Sequence, residues 1–293
     1  MLIIKSLNFM EILTIVLSSL LSLGSSGGIV LDRIAQSKLS SQVMSVEQQV
    51  VRVDNQPNYQ IAQGKLDRVR IANRGVKIKP GLRIAVADFE TDQIALEPGE
   101  LEFENIDGLR ESLKKPISGA FRLVLTETDL NQALQSPEIL AQLQQTLNRL
   151  IAQRAGSSKV SYQLSDIYLE LRRANRLQIR FKLNRPKSNS NVKSKQTTGT
   201  SQPTNRSKEL NIALELGIEV IDGKAVNLID FQGTINNRPL SSRLLKGFAV
   251  GISDRLDLNS LSADGIITRI LQLEIDEDKL ELVSFLRLET KPQ

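Results

Sequence analysis

A strict alternation of apolar and other residues over positions 212–220 constrains the fold of this chain more than any other feature. Its apolar members are Ile212, Leu214, Leu216, Ile218 and Val220. Successive side chains of a strand point to opposite faces of a sheet, so the pattern predicts a long, half-buried strand. Similar alternations at 167–171 and 177–183 predict a hairpin, whose second strand carries Leu177, Ile179 and Phe181. The chain is therefore expected to build an extended apolar sheet face.

The amino-acid composition excludes several common kinds of catalytic site. The 293 residues include no His and no Cys, which excludes the commonest general base and every thiolate nucleophile or thiolate metal site. We find no phosphate-binding loop, dinucleotide loop, EF-hand spacing or nucleophile elbow. Carboxylate chemistry and Mg²⁺ or Ca²⁺ sites remain open, but the prediction is a protein that is not an enzyme and that has no cofactor and no metal site.

The net charge of +5 comes from one segment. Between residues 185 and 208 there are six cations and no acid, namely Arg185, Lys187, Lys193, Lys195, Arg206 and Lys208. The rest of the chain is close to neutral, and its aromatic residues are few. A nucleic-acid partner is therefore not expected, because that needs a basic face with stacking aromatics.

Two segments are expected to lie outside the folded core. Residues 1–28 contain an uncharged run at 12–23 followed by Gly and Ser, which is typical of a signal peptide or membrane anchor. A buried core helix is the alternative, and Met10 is a second possible start. Residues 185–207 are polar and predict a disordered insertion. The remainder, 29–293, is predicted to be a single domain.

The order of elements predicts an α+β fold. An amphipathic helix at 30–43 precedes strands, with a turn at 73–75 between two of them. Further helices are expected after Thr126, after Ser136 and from Pro239, and two strands close the chain. The prediction is a long twisted antiparallel sheet wrapped on amphipathic helices.

Four stretches resemble a known family. They are Val-Asp-Asn-Gln-Pro at 53–57, Gly-Lys-Leu-Asp-Arg-Val-Arg-Ile at 64–71, Leu-Thr-Glu-Thr-Asp-Leu-Asn at 125–131 and Leu-Gln-Leu-Glu-Ile at 271–275. They are similar to the LmeA-like phospholipid-binding family, especially its cyanobacterial branch, over roughly residues 30–290. The resemblance implies a fold like the tubular lipid-binding (TULIP) domains. It also implies a phospholipid or membrane-surface partner, at the periplasmic or cell-envelope side or the thylakoid side of a membrane. It supplies no catalytic residues.

Three groups of residues are candidate sites. The run at 126–131 has Glu127 and Asp129 as possible cation ligands, but its composition favours a capped helix start. A basic stretch is a candidate for lipid headgroups, with the solvated face of a hairpin as the alternative; it comprises Lys65, Arg68, Arg70, Arg74, Lys77, Lys79 and Arg83. The apolar-groove candidates are Leu177, Ile179, Phe181, Ile212, Leu214, Leu216, Ile218 and Val220.

The sequence leaves three functions open. The first is non-enzymatic binding of phospholipid, with acyl chains in an apolar groove. The second is a membrane-tethered scaffold whose core is filled and which binds another protein. The third, a carboxylate-dependent hydrolase, is disfavoured because no paired acids stand in a recognisable catalytic context.

Overall fold

The structure is a computed structural model. It describes residues 45–56, 60, 63–79, 81–97, 106–154, 162–185, 209–253, 258–259, 262 and 265–291. The predicted signal or anchor segment at 1–28 and the helix at 30–43 lie outside these residues, as does the insertion from residue 186 onward. Within the described ranges, no helix has the length and apolar character needed to cross a membrane.

The larger of two main sheets has six antiparallel strands in the order β1-β3-β4-β6-β13-β12. The strands are β1 (Ser45–Asp54), β3 (Arg68–Lys79), β4 (Leu82–Thr91), β6 (Ile117–Thr126), β12 (Ile266–Ile275) and β13 (Lys279–Leu288). A small pair, β2 (Lys65–Leu66) and β5 (Ile94–Ala95), and helix α1 (Ile106–Ser112) accompany it. Leu109 of α1 is fully buried in a cluster with Val69 and Ile266, so α1 covers one end of the sheet.

The second sheet has five antiparallel strands in the order β11-β10-β9-β8-β7. The strands are β7 (Gln163–Arg172), β8 (Arg176–Asn184), β9 (Glu209–Ile221), β10 (Ala225–Ile235) and β11 (Arg238–Pro239). Helices α2 (Glu127–Gln135) and α3 (Pro137–Arg154) flank β7, and α4 (Ser242–Ser253) packs along β10. Helix α2 also contacts β4 and β6 of the first sheet, so it lies between the two sheets.

The apolar faces of the two sheets meet in a shared core cluster. Leu171, Leu177 and Leu216 of the second sheet are buried there against Ile275 of β12. Leu130 of α2 and Leu280 of β13 pack on the same cluster. The alternating residues seen in the sequence therefore form two sheets, and the apolar faces of these sheets pack against each other.

Side chains of α2 and α3 occupy the free edge of β7. The Leu169 N–H donates to Asn131 Oδ1 at 2.8 Å, and Asn131 Nδ2 donates to the Leu169 carbonyl at 2.8 Å. The Leu171 N–H donates to Glu127 Oε2 at 2.8 Å. Gln144 of α3 repeats the pattern: it accepts from the Leu164 N–H at 2.7 Å and donates to the Tyr162 carbonyl at 2.6 Å. These carboxamides and the carboxylate replace a neighbouring strand, which protects an otherwise exposed edge.

The predicted fold class needs correction. The antiparallel pairing is confirmed, but the described chain is mainly β, with two open sheets instead of one sheet wrapped on helices. Alternation identifies strands, yet it contains no information about which strands pair, so one sheet and two sheets look alike in sequence.

Two local predictions are also wrong. β3 runs through 73–75 without a turn, and Gly75 adopts a φ of 62° inside the strand. The buried positions change from Val69 and Ile71 before this glycine to Val76 and Ile78 after it, while the register with β1 and β4 continues unbroken past it. The last described helix begins at Ser242 and not at Pro239, because Pro239 pairs with Thr234 in β11.

Candidate functional site

The eight groove candidates lie together on one face of the second sheet. Leu177 is opposite Leu216, Ile179 opposite Leu214, and Phe181 opposite Ile212. Further along β9, Ile218 and Val220 continue the row. Ile212, Leu177 and Leu216 are buried, whereas Ile179, Phe181, Leu214, Ile218 and Val220 are only half-buried. The face is thus apolar throughout and incompletely covered at several of its central positions.

The apolar face continues onto the first sheet, which sequence reasoning did not include among the candidates. A cross-strand row runs through Ala87, Leu123, Leu282 and Leu273, one residue from each of β4, β6, β13 and β12. All four are half-buried. The next row contains Leu280 and Ile275, which belong to or pack on the cluster shared by the two sheets. The alternation in β6 and β13 carried this signal, but only the fold brings Ile275 and Leu280 against the second sheet. Ala87 and Leu123 pack on a cluster that includes Ala133 of α2 and Ile139 of α3. We call the two connected faces the apolar tract.

Two clefts on the described surface adjoin candidate residues. One, of about 430 Å³, lies over the charged side of the first sheet and has Val50, Arg70 and Arg122 in its lining. The other, of about 330 Å³, lies where β9 and β10 approach β12, and Ile218 and Val220 are among its lining residues. Only the second cleft includes groove candidates.

The predicted basic patch is divided among separate surfaces. Lys65 belongs to the small β2–β5 pair. Arg70 lies on the opposite face of β3 from its neighbour Ile71, which is part of the core, so it points away from the apolar tract. Arg83 points to the first turn of α2, where it meets Asp129. The Lys79 side chain is outside what the structure describes. The structure therefore does not bring these cations into one site.

Most of the described cations in the patch have acidic partners. Arg68 lies 3.5 Å from Glu90, and Arg70 lies 3.3 Å from the same carboxylate and 3.6 Å from Asp54. Arg74 pairs with Asp88. Arg83 donates to Glu47 at 3.0 Å, which holds the pKa of the Glu47 carboxyl below its ordinary value. Lys65 and Lys77 are exposed. The acids of β1 and β4 thus neutralise much of the charge that the sequence suggested.

The run at 126–131 is a helix start that also joins the two sheets. The Asp129 N–H donates to Thr126 Oγ1 at 3.1 Å, which confirms the predicted N-cap. Arg83 Nη1 lies 3.2 Å from both oxygens of the buried Asp129 carboxylate, in the position where a bound cation was considered. Helix capping does not account for Glu127 and Asn131, because their side chains form hydrogen bonds with the backbone of β7. Among the described residues, no group of acids is arranged to hold a metal ion.

Comparisons with known proteins identify the family. The family model for LmeA-like phospholipid-binding proteins matches residues 25–284. Neither the curated proteins nor the solved structures contain a match to this chain. Since the family model spans most of the sequence, the chain belongs to the LmeA-like phospholipid-binding family.

Proposed function

We propose that this protein binds phospholipid at a membrane or cell envelope without catalysing a reaction, and that acyl chains lie on the apolar tract. The observation that carries the proposal is the continuity of half-buried apolar side chains across two sheets in a member of a phospholipid-binding family. Burial of acyl chains would supply the affinity, at about 0.8 kcal/mol per methylene removed from water. Such a site needs no catalytic group and tolerates different chain lengths.

The basic patch has a separate part in this proposal. Because Arg68 and Arg70 point away from the tract, they do not hold the headgroup of a lipid whose chains lie there. Their proposed role is attraction to an anionic bilayer, weakened by their pairing with Glu90. Each unpaired cation near such a surface contributes about 1 kcal/mol. Charge reversal of Arg68, Arg70 and Lys77 is therefore expected to weaken vesicle binding while leaving lipid retention unchanged.

The decisive experiment asks whether lipid travels with the purified protein. Native mass spectrometry of gently purified protein should show mass increments that organic extraction identifies as phospholipid. The delipidated protein should then take up a fluorescent phospholipid supplied in detergent. Absence of both copurified lipid and uptake would contradict the proposal.

Matched variants connect uptake to the tract. Ile179→Trp adds bulk to the half-buried apolar face and should lower uptake several-fold. Gln178→Trp adds the same bulk to the preceding residue, whose side chain points to the opposite face, and should leave uptake unchanged. Circular dichroism would verify that both variants are folded. Equal effects from the two variants would show that the assay reports stability and not binding to the tract.

A filled-core scaffold is the second candidate function. It is supported by the burial of Leu177, Leu216 and Ile212, which is what residues of an ordinary core would have. On this alternative, Ile179→Trp would disturb packing and lower stability, and no lipid would copurify. The lipid measurements therefore separate the two functions directly.

A further inference from the structure

Strand β9 extends past the end of β8 and leaves a gap beside β12. β8 begins at Arg176, which lies opposite Gly217, whereas β9 continues to Ile221. Asn175 closes one end of the gap. Its carbonyl accepts from the Ile218 N–H at 2.8 Å, and its Oδ1 accepts from the Ile275 N–H at 2.7 Å. One asparagine therefore fixes the last strand of the first sheet against the second sheet.

The turn between β9 and β10 closes the other end. The Gly223 carbonyl accepts from the Ile270 N–H at 2.7 Å. Between the two contacts lies the cleft of about 330 Å³, bordered by residues 218–220 on one side and 270–273 on the other. The cleft is thus framed by hydrogen bonds at both ends and bounded by backbone that regular strand geometry holds in place.

The lining of the cleft connects the interior with the surface. Ile218 packs against the core cluster shared by the two sheets, so the inner side of the cleft is part of the apolar tract. On the outer side, Leu271 is 63% exposed and Ile229 is 39% exposed. Ile221, at the end of β9, is also 39% exposed. Grouped exposed apolar side chains at the mouth of a cleft mark a contact with an apolar partner.

A bulge in β12 explains why Leu271 stands outward. The pairing of β12 with β13 shifts between Ile270 and Gln272, which leaves Leu271 as the extra residue. Bulges redirect side chains, and here the result is a large apolar side chain held in solvent beside an opening.

We propose that this cleft is a lateral portal through which an acyl chain of a bilayer phospholipid enters the apolar tract, with Leu271 and Ile229 inserted into the membrane at its mouth. This inference rests on the proposed function and adds the route of entry. The occupant is an acyl chain because the inner wall is continuous with the tract and because Leu271 and Ile229 stand exposed at the mouth, beside the polar Glu219 and Gln272.

The first test compares two exposed apolar residues of β12. Leu271→Glu places a charge at the mouth, whereas Ile267→Glu places one at a residue that is 40% exposed, does not line the cleft and is not part of the basic stretch. Uptake of fluorescent phospholipid from vesicles should become at least about fivefold slower in Leu271→Glu and stay unchanged in Ile267→Glu. Uptake of the same lipid from detergent should be equal in both variants, because detergent removes the need for membrane contact.

A second measurement does not depend on lipid uptake. The natural chain has no cysteine, so Leu271→Cys and Ile267→Cys each provide a unique site for an environment-sensitive dye. With phosphatidylglycerol–phosphatidylcholine vesicles, the dye at position 271 should shift to the blue and the dye at position 267 should not. Equal shifts, or equal vesicle rates for the two Glu variants, would overturn the portal while leaving lipid binding intact. Failure of the wild type to take up lipid by either route would overturn the proposed function and the portal with it.

Discussion

Asn131 is expected to be among the most important polar residues for the stability of this protein. It is only 8% exposed and makes three hydrogen bonds, two to Leu169 of β7 and one to the Glu127 carbonyl in its own helix. Asn131→Ala removes all three and leaves the Leu169 N–H and carbonyl without partners. The variant therefore tests whether a side chain can replace a strand at the edge of the second sheet.

The expected loss of stability follows from these hydrogen bonds. Each of the two bonds to Leu169 contributes about 1 kcal/mol net, and the two half-buried backbone groups left unpaired add about 1 kcal/mol together. Alanine restores about 0.5 kcal/mol of stability, because its helix propensity is higher than that of asparagine. The free energy of unfolding should thus fall by about 2–3 kcal/mol.

Urea unfolding followed by circular dichroism measures this change, and the slope of the transition should stay constant. Gln132→Ala is the matched control, because Gln132 is the next residue of α2, also carries a carboxamide and is exposed. The control should change stability by less than about 0.5 kcal/mol. Hydrogen exchange at the Leu169 amide should be about 30-fold faster in Asn131→Ala, as expected for about 2 kcal/mol. A loss no larger than that of the control would refute the role of Asn131.

Three further outcomes are expected. Ala174 has a φ of 60°, so Ala174→Gly should stabilise the protein by about 0.5–1 kcal/mol, whereas Ala213→Gly within β9 should destabilise it by a similar amount, both measured by urea unfolding. Gln144→Ala removes the bond to the Leu164 N–H of β7 and the bond to the Tyr162 carbonyl just before β7, and it should cost about 1–2 kcal/mol, with faster exchange of β7 amides as its signature. Arg122 lowers the pKa of Glu281 through a 2.6 Å hydrogen bond, so this carboxyl stabilises the fold above its unfolded pKa and loses that effect as pH falls through its folded pKa. Glu281→Gln should therefore flatten the decline of Tm between about pH 5 and pH 3, and an unchanged slope would contradict the assignment.

The strands could be predicted from sequence because alternation is a local property. The positions of β6, β9 and the two closing strands all follow from apolar residues at every second position, and the structure confirms them. The cap at Thr126 was equally local, since its partner is only three residues away. These features depend on neighbours in the chain, and such information is present in a single sequence.

The acidic partners of the predicted basic patch could not be found from the sequence, for a non-local reason. Arg70 finds Glu90 across the β3–β4 pair and Asp54 across the β1–β3 pair, and neither acid lies inside the basic stretch. Arg83 finds Asp129, which is 46 residues away. A count of charges along the chain cannot include partners that only sheet register supplies. The same limit explains why the continuation of the apolar face onto the first sheet was not anticipated.

The polar run at 126–131 can contribute to lipid binding by holding the two sheets together, without contacting the lipid. Its Glu127 and Asn131 hold β7 from a helix that begins where β6 ends, so the second sheet is attached directly to the first. That attachment brings Leu171 and Leu177 against Ile275, which is the contact that joins the two apolar faces. If lipid lies on the tract, loss of Asn131 should therefore weaken lipid retention as well as stability, although its side chain binds β7 and its own helix. The residues that most resembled a chemical site in the sequence thus act on lipid, in this proposal, by fixing the shape of the surface that receives it.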